Sequence, residues 1–199
     1  MLATLIAALA LSIPLDVRSF EVFSRDSGPQ NYYRVVDSRG ELFIRGIYEP
    51  PLKTVTLFLP LPDRYHRGVR TLRWRWRAIE LPRQGNECIE GRGDSAAAVY
   101  LAWKRGLRWY SLKLIWSSEA PVGATCNVTR NPFVASESVV LRSGGGGSRW
   151  QTEEIDLAAL FRRHFGEDIP ELQGIGILTD GDQTRSVSAA DYATFTLVQ

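Results

Sequence analysis

Leu72-Arg73-Trp74-Arg75-Trp76-Arg77 sets large apolar side chains and guanidinium groups in strict alternation. An extended chain points successive side chains to opposite faces, so Leu72, Trp74 and Trp76 share one face and the three arginines share the other, with successive members about 6–7 Å apart. The ring face has to be buried and the charged face wetted, which predicts a strand covered on one side only. The same period continues downstream. Val99, Leu101 and Trp103 alternate with Ala98, Tyr100 and Ala102, and Tyr110, Leu112, Leu114 and Trp116 alternate with Ser111 and Lys113.

Working outward, Tyr32–Asp37 and Glu41–Ile47 flank the turn-rich Asp37-Ser38-Arg39-Gly40 and read as a hairpin. Further strands are expected at Thr54–Leu59, Arg70–Ile79, Ala96–Trp103, Arg108–Trp116, Ser138–Arg142, Trp150–Ile155, Gly174–Thr179 and Tyr192–Val198, separated by Pro- and Gly-bearing connections. One helix is signalled. Asp156 can cap it, Leu157, Leu160, Phe161 and Phe165 form its apolar stripe, and Gly166 can end it. Many short strands with one helix point to an all-β sandwich or barrel.

The chain has 199 residues, 44% hydrophobic and 23% charged, which excludes disordered, collagen-like and coiled-coil classes and allows one core. Its net charge of +2 makes no case for a nucleic-acid or membrane-surface partner. The total hides an asymmetry. Residues 60–115 hold 12 Lys/Arg against 5 Asp/Glu, whereas residues 146–199 hold 4 against 9, so the two stretches either attract each other in the fold or present separate surfaces. Leu2 to Leu15 is an apolar run with no Lys or Arg before Arg18, the length of a signal-peptide core and too short for a bilayer span. Residues 1–19 are therefore expected to be an export signal, or else an apolar first segment, with 20–199 a single domain. Export would place the protein in the periplasm or outside the cell.

Cys88 and Cys126 show no metal-ligand spacing, and their use in an exported protein would be a disulfide. If the strands at 70–79, 96–103 and 108–116 lie side by side, Arg73, Arg75, Arg77 and Lys113 surround a low floor of alanines with Tyr100, a surface suited to an extended anionic ligand. A merely solvated arginine face is the plain alternative. In Thr179-Asp180-Gly181-Asp182-Gln183-Thr184, two carboxylates in one turn can converge on a hard cation such as calcium or accept sugar hydroxyls; a solvated turn is the alternative. Asp94 stands at the edge of another strand. His66 and His164 carry no signalled partner and read as structural. No nucleophile elbow, P-loop or zinc-protease motif occurs.

The ordered motifs Leu72-Arg73-Trp74-Arg75-Trp76, Gly93-Asp94 ahead of Ala97-Ala98-Val99-Tyr100, Val140-Leu141-Arg142-Ser143-Gly144, Trp150 to Asp156, Phe165-Gly166 and Gly174-Ile175-Gly176-Ile177-Leu178-Thr179-Asp180 resemble a bacterial family, over roughly residues 30–198. That family is the domain-of-unknown-function family numbered three thousand and forty-seven. The resemblance implies a commonly exported β-sandwich with no established activity. Ser95 and Gln183 depart from the acidic and Asn residues the family tends to place there. The closing strand through Ala189-Ala190-Asp191-Tyr192 is similar in style to galactose-binding-like jelly rolls among carbohydrate-binding modules, some of which hold a calcium between first and last strands, for which Glu21 and Asp191 would be the counterparts.

The expectation is a jelly-roll-like antiparallel β-sandwich that binds a glycan, or else an anionic ligand, without catalysis, through Arg73, Arg75, Arg77, Tyr100, Lys113 and Asp94, with calcium at Asp180 and Asp182. Two alternatives stand beside it: a polysaccharide hydrolase or lyase using paired carboxylates among Asp94, Asp180 and Asp182, and an envelope assembly domain that binds protein.

Overall fold

A computed structural model describes residues 11–23, 26 and 32–199. In chain order the strands are β1 (Ser12–Pro14), β2 (Glu21–Val22), β3 (Tyr33–Ser38), β4 (Glu41–Tyr48), β5 (Leu57–Pro60), β6 (Thr71–Glu80), β7 (Ala97–Arg105), β8 (Arg108–Ser117), β9 (Thr125–Arg130), β10 (Val134–Ser143), β11 (Gln151–Asp156), β12 (Glu171–Leu178) and β13 (Ser188–Val198), with the helix α1 (Leu157–Phe165) between β11 and β12. They form two sheets. One has the order β11-β6-β13-β4-β3 with β1 also on β13, and the other β2-β5-β12-β7-β8-β10-β9. The chain repeatedly passes from one sheet to the other, and every pairing is antiparallel except β8 with β10. This is the jelly-roll-like sandwich the alternation predicts. Short β9 and the two N-terminal strands carry too little apolar pattern to be read from sequence.

Period two decides the packing. Trp74 and Trp76 of β6 and Trp103 of β7 are fully buried between the sheets, with Trp76 edge-on to both Trp74 and Trp116 at ring centroid distances of 5.6 and 5.7 Å. Such aromatic contacts add to a burial term worth roughly 1.5–3 kcal/mol per large side chain. Helix α1 closes one end as its stripe predicts. The Asp156 carboxylate accepts from the Ala159 N–H at 2.8 Å, Gly166 takes the left-handed conformation at φ 71°, and Phe161 packs on Trp103 and Tyr110 at 5.2 and 5.0 Å. His164 on the same stripe meets buried Glu137, which Arg130 also contacts, and the His66 ring nitrogen bonds the Leu61 carbonyl at 2.8 Å. Each histidine thus has a partner within the fold that the sequence did not signal.

Two expectations change here. The predicted domain start at residue 20 is too late, because Ser12–Pro14 pair with Pro14↔Thr196 to Ser12↔Val198 of β13 and Val17 is buried. Residues 2–10 of the expected signal lie outside the described residues. The proposed arginine face is also dismantled. β6 belongs to one sheet and β7 and β8 to the other, so Arg73, Arg75 and Arg77 lie on the opposite side of the sandwich from Tyr100 and Lys113.

The arginines are occupied, too. Arg73 pairs with Glu154 at 2.7 Å, Arg75 with Glu41 at 2.5 Å, and Arg77 with Asp191 at 2.6 Å. Asp191 is fully buried and also takes both prongs of Arg45 at 2.7 and 2.8 Å, which leaves it no role as a calcium ligand. Trp150 lies over Arg77 and Arg75 at 4.5 and 5.0 Å. The basic and acidic stretches of the sequence therefore do attract each other: Arg67–Glu171, Arg73–Glu154, Arg77–Asp191 and Arg105–Glu167 all join one to the other.

These pairs differ in worth. Removing buried Asp191 strands two guanidiniums, so Asp191→Ala is expected to destabilise by about 3–5 kcal/mol, whereas Arg73→Ala, which breaks an exposed pair, costs about 0–1 kcal/mol. Urea unfolding midpoints of the two variants check this difference.

Candidate functional site

The outward face of the seven-stranded sheet has a floor of small residues. In register across β12, β7, β8 and β10 lie Gly174, Ala102, Ser111 and Ser136, and one step along lie Gly176, Tyr100, Lys113 and Ser138. Phe58 of β5 lies across Gly174 so closely that a Cβ there would be 2.2 Å from its ring, which is why that floor position needs glycine. Over the Tyr100 end the chain builds walls. The β6–β7 loop, the β12–β13 loop and the stretch Thr54–Thr56 enclose a cleft of about 750 Å³, lined by Thr54, Glu87, Tyr100, Lys113, Asp180 and Gln183 among others.

Lys113 is the polar centre of this cleft. Its side chain is only 12% exposed, and its ammonium meets the buried Glu87 carboxylate at 2.6 Å and stands 5.6 Å from the Tyr100 ring centroid. Burial works against its charge, but Tyr100, Glu87 and Asp180 outweigh it and hold the Lys113 pKa above its ordinary value. The ammonium is thus matched before any ligand arrives. This corrects the expectation that Lys113 offers an open positive charge to an anion: the cleft contributes Glu87, Glu90 and Asp180 against one lysine.

The loop carrying Glu87 is held from two sides. Cys88 and Cys126 form the expected disulfide, with a Cα–Cα separation of 5.2 Å, tying the loop to β9. Beside it the Asn127 side-chain amide donates to the Glu87 carbonyl at 3.0 Å. The second anchor is Asp94. Fully buried, it accepts from the Thr184 N–H and hydroxyl, both at 2.6 Å, and from the Gln183 N–H at 3.3 Å, while the Gly93 N–H donates back to Gln183 at 2.9 Å.

This brings Asp94 to the acidic turn. Asp94, Asp180 and Asp182 each offer an oxygen within 4.8 Å of the others, so the structure brings Asp94 to the pair that lies 86 and 88 residues further along the chain. Three carboxylate oxygens are hard donors of the kind calcium takes. The same oxygens also close the loops: Asp180 accepts from the Thr54 hydroxyl at 2.6 Å and Asp94 pins the turn at Thr184. Gly181 is required between the two aspartates, since a Cβ would stand 2.1 Å from the Ser186 carbonyl.

Of the residues singled out in sequence, Tyr100, Lys113 and Asp180 line one cleft, Asp94 and Asp182 cluster against Asp180 behind it, and the three arginines do not join them. Glu87, Thr54 and Phe58 were not legible as site residues. Nothing local marks them, because each is recruited by a partner on a distant strand.

The sequence profile of one family matches residues 29–196 and is described as Protein of unknown function (DUF3047). The chain belongs to this family. No curated protein matches it. Among solved structures the DUF3047 chain is similar to a mutant of CBM29-2, a family 29 carbohydrate-binding module, complexed with mannohexaose (6% identity, 96% of this chain and 93% of that one, TM-score 0.45). It is also similar to the xyloglucanase domain of NopAA, a type three effector from Sinorhizobium fredii, in complex with cellobiose (11%, 94% and 97%, TM-score 0.48). Endoglucanase 3 of Trichoderma harzianum, from family GH12, is a third such likeness (9%, 97% and 98%, TM-score 0.43). At these TM-scores the likenesses assign no ligand to this chain.

Burial pushes the Asp180 carboxyl up to about 6; Lys113 and the Thr54 hydroxyl pull it down, and Asp94 and Asp182 push it further up. A carboxyl raised above its unfolded value binds its proton more tightly when folded, so stability falls as pH rises from about 4 to about 6, by about 3 kcal/mol in all. With chelator present, Asp180→Asn is expected to remove most of that slope. Unfolding free energy measured across this pH window for both proteins checks it.

Proposed function

We propose that this protein is a non-catalytic module that binds a neutral glycan in the cleft on the outward face of the seven-stranded sheet. The observation that carries the reading is the pairing of Lys113 with Glu87 beside the Tyr100 ring and Asp180. It combines hydrogen-bonding groups whose charges are already balanced with an aromatic surface, over a floor of small residues. Sugars ask for both kinds of contact: hydroxyls that donate to carboxylates and accept from an ammonium, and C–H faces that pack on rings. The preference for a neutral chain follows from the surplus of carboxylates, since a uronic acid would add one more. The disulfide fits an oxidising compartment, and we place the protein in the periplasm or outside the cell.

A second reading has one observation in its favour. Burial pushes the Asp180 carboxyl up to about 6 inside a cleft, with the Asp94 carboxyl beside it, and a raised carboxyl is the kind of group that donates a proton in glycoside hydrolysis. On that reading the protein cleaves the polysaccharide it holds.

Thermal unfolding against a panel of neutral and acidic glycans, each with calcium and with chelator, separates these outcomes. A raised midpoint with neutral glycans only, lost in Lys113→Met and unchanged in Arg75→Ala, is the expected result. Binding to acidic glycans that depends on Arg75 would overturn the placement of the site. Reducing ends or unsaturated sugars released during incubation, and abolished in Asp180→Asn, would replace the binding reading with the catalytic one. A calcium-dependent shift lost in Asp182→Asn would assign the acidic trio to the ion.

A further inference from the structure

The outward face of β7 and β8 repeats one device at both ends. Directly cross-strand, Tyr100 faces Lys113 and, two rows along, Lys104 faces Trp109, with Ala102 and Ser111 between them. In each pair the ammonium stands over the ring, at 5.6 Å for Lys113 on Tyr100 and 5.1 Å for Lys104 on Trp109. The two pairs differ in their surroundings. Lys113 is buried and matched by Glu87, whereas among the described residues Lys104 has no carboxylate partner within salt-bridge distance, and Trp109 is 43% exposed. Exposed Phe133 and Val134 adjoin Trp109, whose backbone N–H donates to the Phe133 carbonyl at 2.8 Å.

An exposed indole is ordinary when it stands alone. This one is on the same face as the cleft, about 13 Å along the strands from Tyr100, and the row between them rises no higher than alanine and serine. The geometry points to a second sugar subsite on Trp109 and Lys104, so that the ligand is an extended glycan that crosses the Ala102–Ser111 floor to reach both rings. One sugar ring is too short for that span. A flat ligand with an apolar face and hydroxyl edges suits the indole and the unpaired ammonium together. A protein partner would instead have to bury Lys104 at its centre, against the depletion of charge in the cores of protein interfaces.

The inference rests on the glycan reading above and can fail without it. Calorimetric titration with neutral cello-, xylo- and manno-oligosaccharides, from disaccharide to hexasaccharide, tests it on the whole chain. Affinity is expected to rise with length in the native protein. Trp109→Ala should cut hexasaccharide affinity by roughly tenfold and leave disaccharide binding at the Tyr100 cleft unchanged, with Trp109→Tyr restoring part of the gain. Equal losses at all lengths, or no loss at the longest, would overturn the second subsite while leaving the cleft intact. So would a Trp109→Ala variant whose only change is reduced self-association or reduced capture of another protein, which would make the patch a protein interface. If no oligosaccharide binds at any length, the glycan reading itself falls, and this inference with it.

Discussion

Alternation along β6 is the constraint from which the rest follows. Once Trp74 and Trp76 go between the sheets, Arg73, Arg75 and Arg77 must stand outside, where each meets a carboxylate, and only the pair with buried Asp191 carries much of the stability. The acidic C-terminal part of the chain supplies two of the three. Glu154 arrives on β11 and Asp191 on β13, the two strands that hydrogen-bond to β6, so backbone pairing and charge pairing select the same register. A slip of one residue in either neighbour would turn its inward side chains out and carry the carboxylates away from the arginines. On this side of the molecule charge is spent on architecture.

The other sheet handles a buried charge differently. Lys113 belongs to an outward position but is covered by a loop, and a covered ammonium has to be matched. Glu87 matches it, and Glu87 is in place because Cys88 is bonded to Cys126 and because Asp94 locks the neighbouring turn. The cleft is therefore one connected unit, in which disulfide, ion pair and acidic turn each position another. It leaves Asp180 in an environment that disfavours its charge.

The DUF3047 fold separates these two tasks onto opposite faces. One face is a ladder of ion pairs under Trp150. The other is a small-floored surface with an aromatic group at each end, walled over Tyr100 by the Glu87 loop and the acidic turn and more open at Trp109. On the proposed glycan reading, the walled end would recognise a single ring in detail and the open end would make contact that tolerates variation in the chain.

Much of this was legible in the residues. Period-two alternation fixes which side of each strand is apolar whatever its neighbours are, and the helix signals at Asp156 and Gly166 act within a turn or two, so the class of fold and the helix bounds follow from local chemistry. Asp180 and Asp182 belong to one turn and could be read together for the same reason. Strand adjacency is another matter: β6, β7 and β8 are consecutive in sequence, yet the first goes to one sheet and the others to the opposite one, because a sandwich connection can cross layers at no local cost. Only the tertiary structure could therefore decide that the arginines leave the site, that Glu87 enters it with Asp94 locking the turn behind, and that Trp109 shares a face with Tyr100. Those relations depend on register between strands distant in sequence, which is set by the burial of all of them at once.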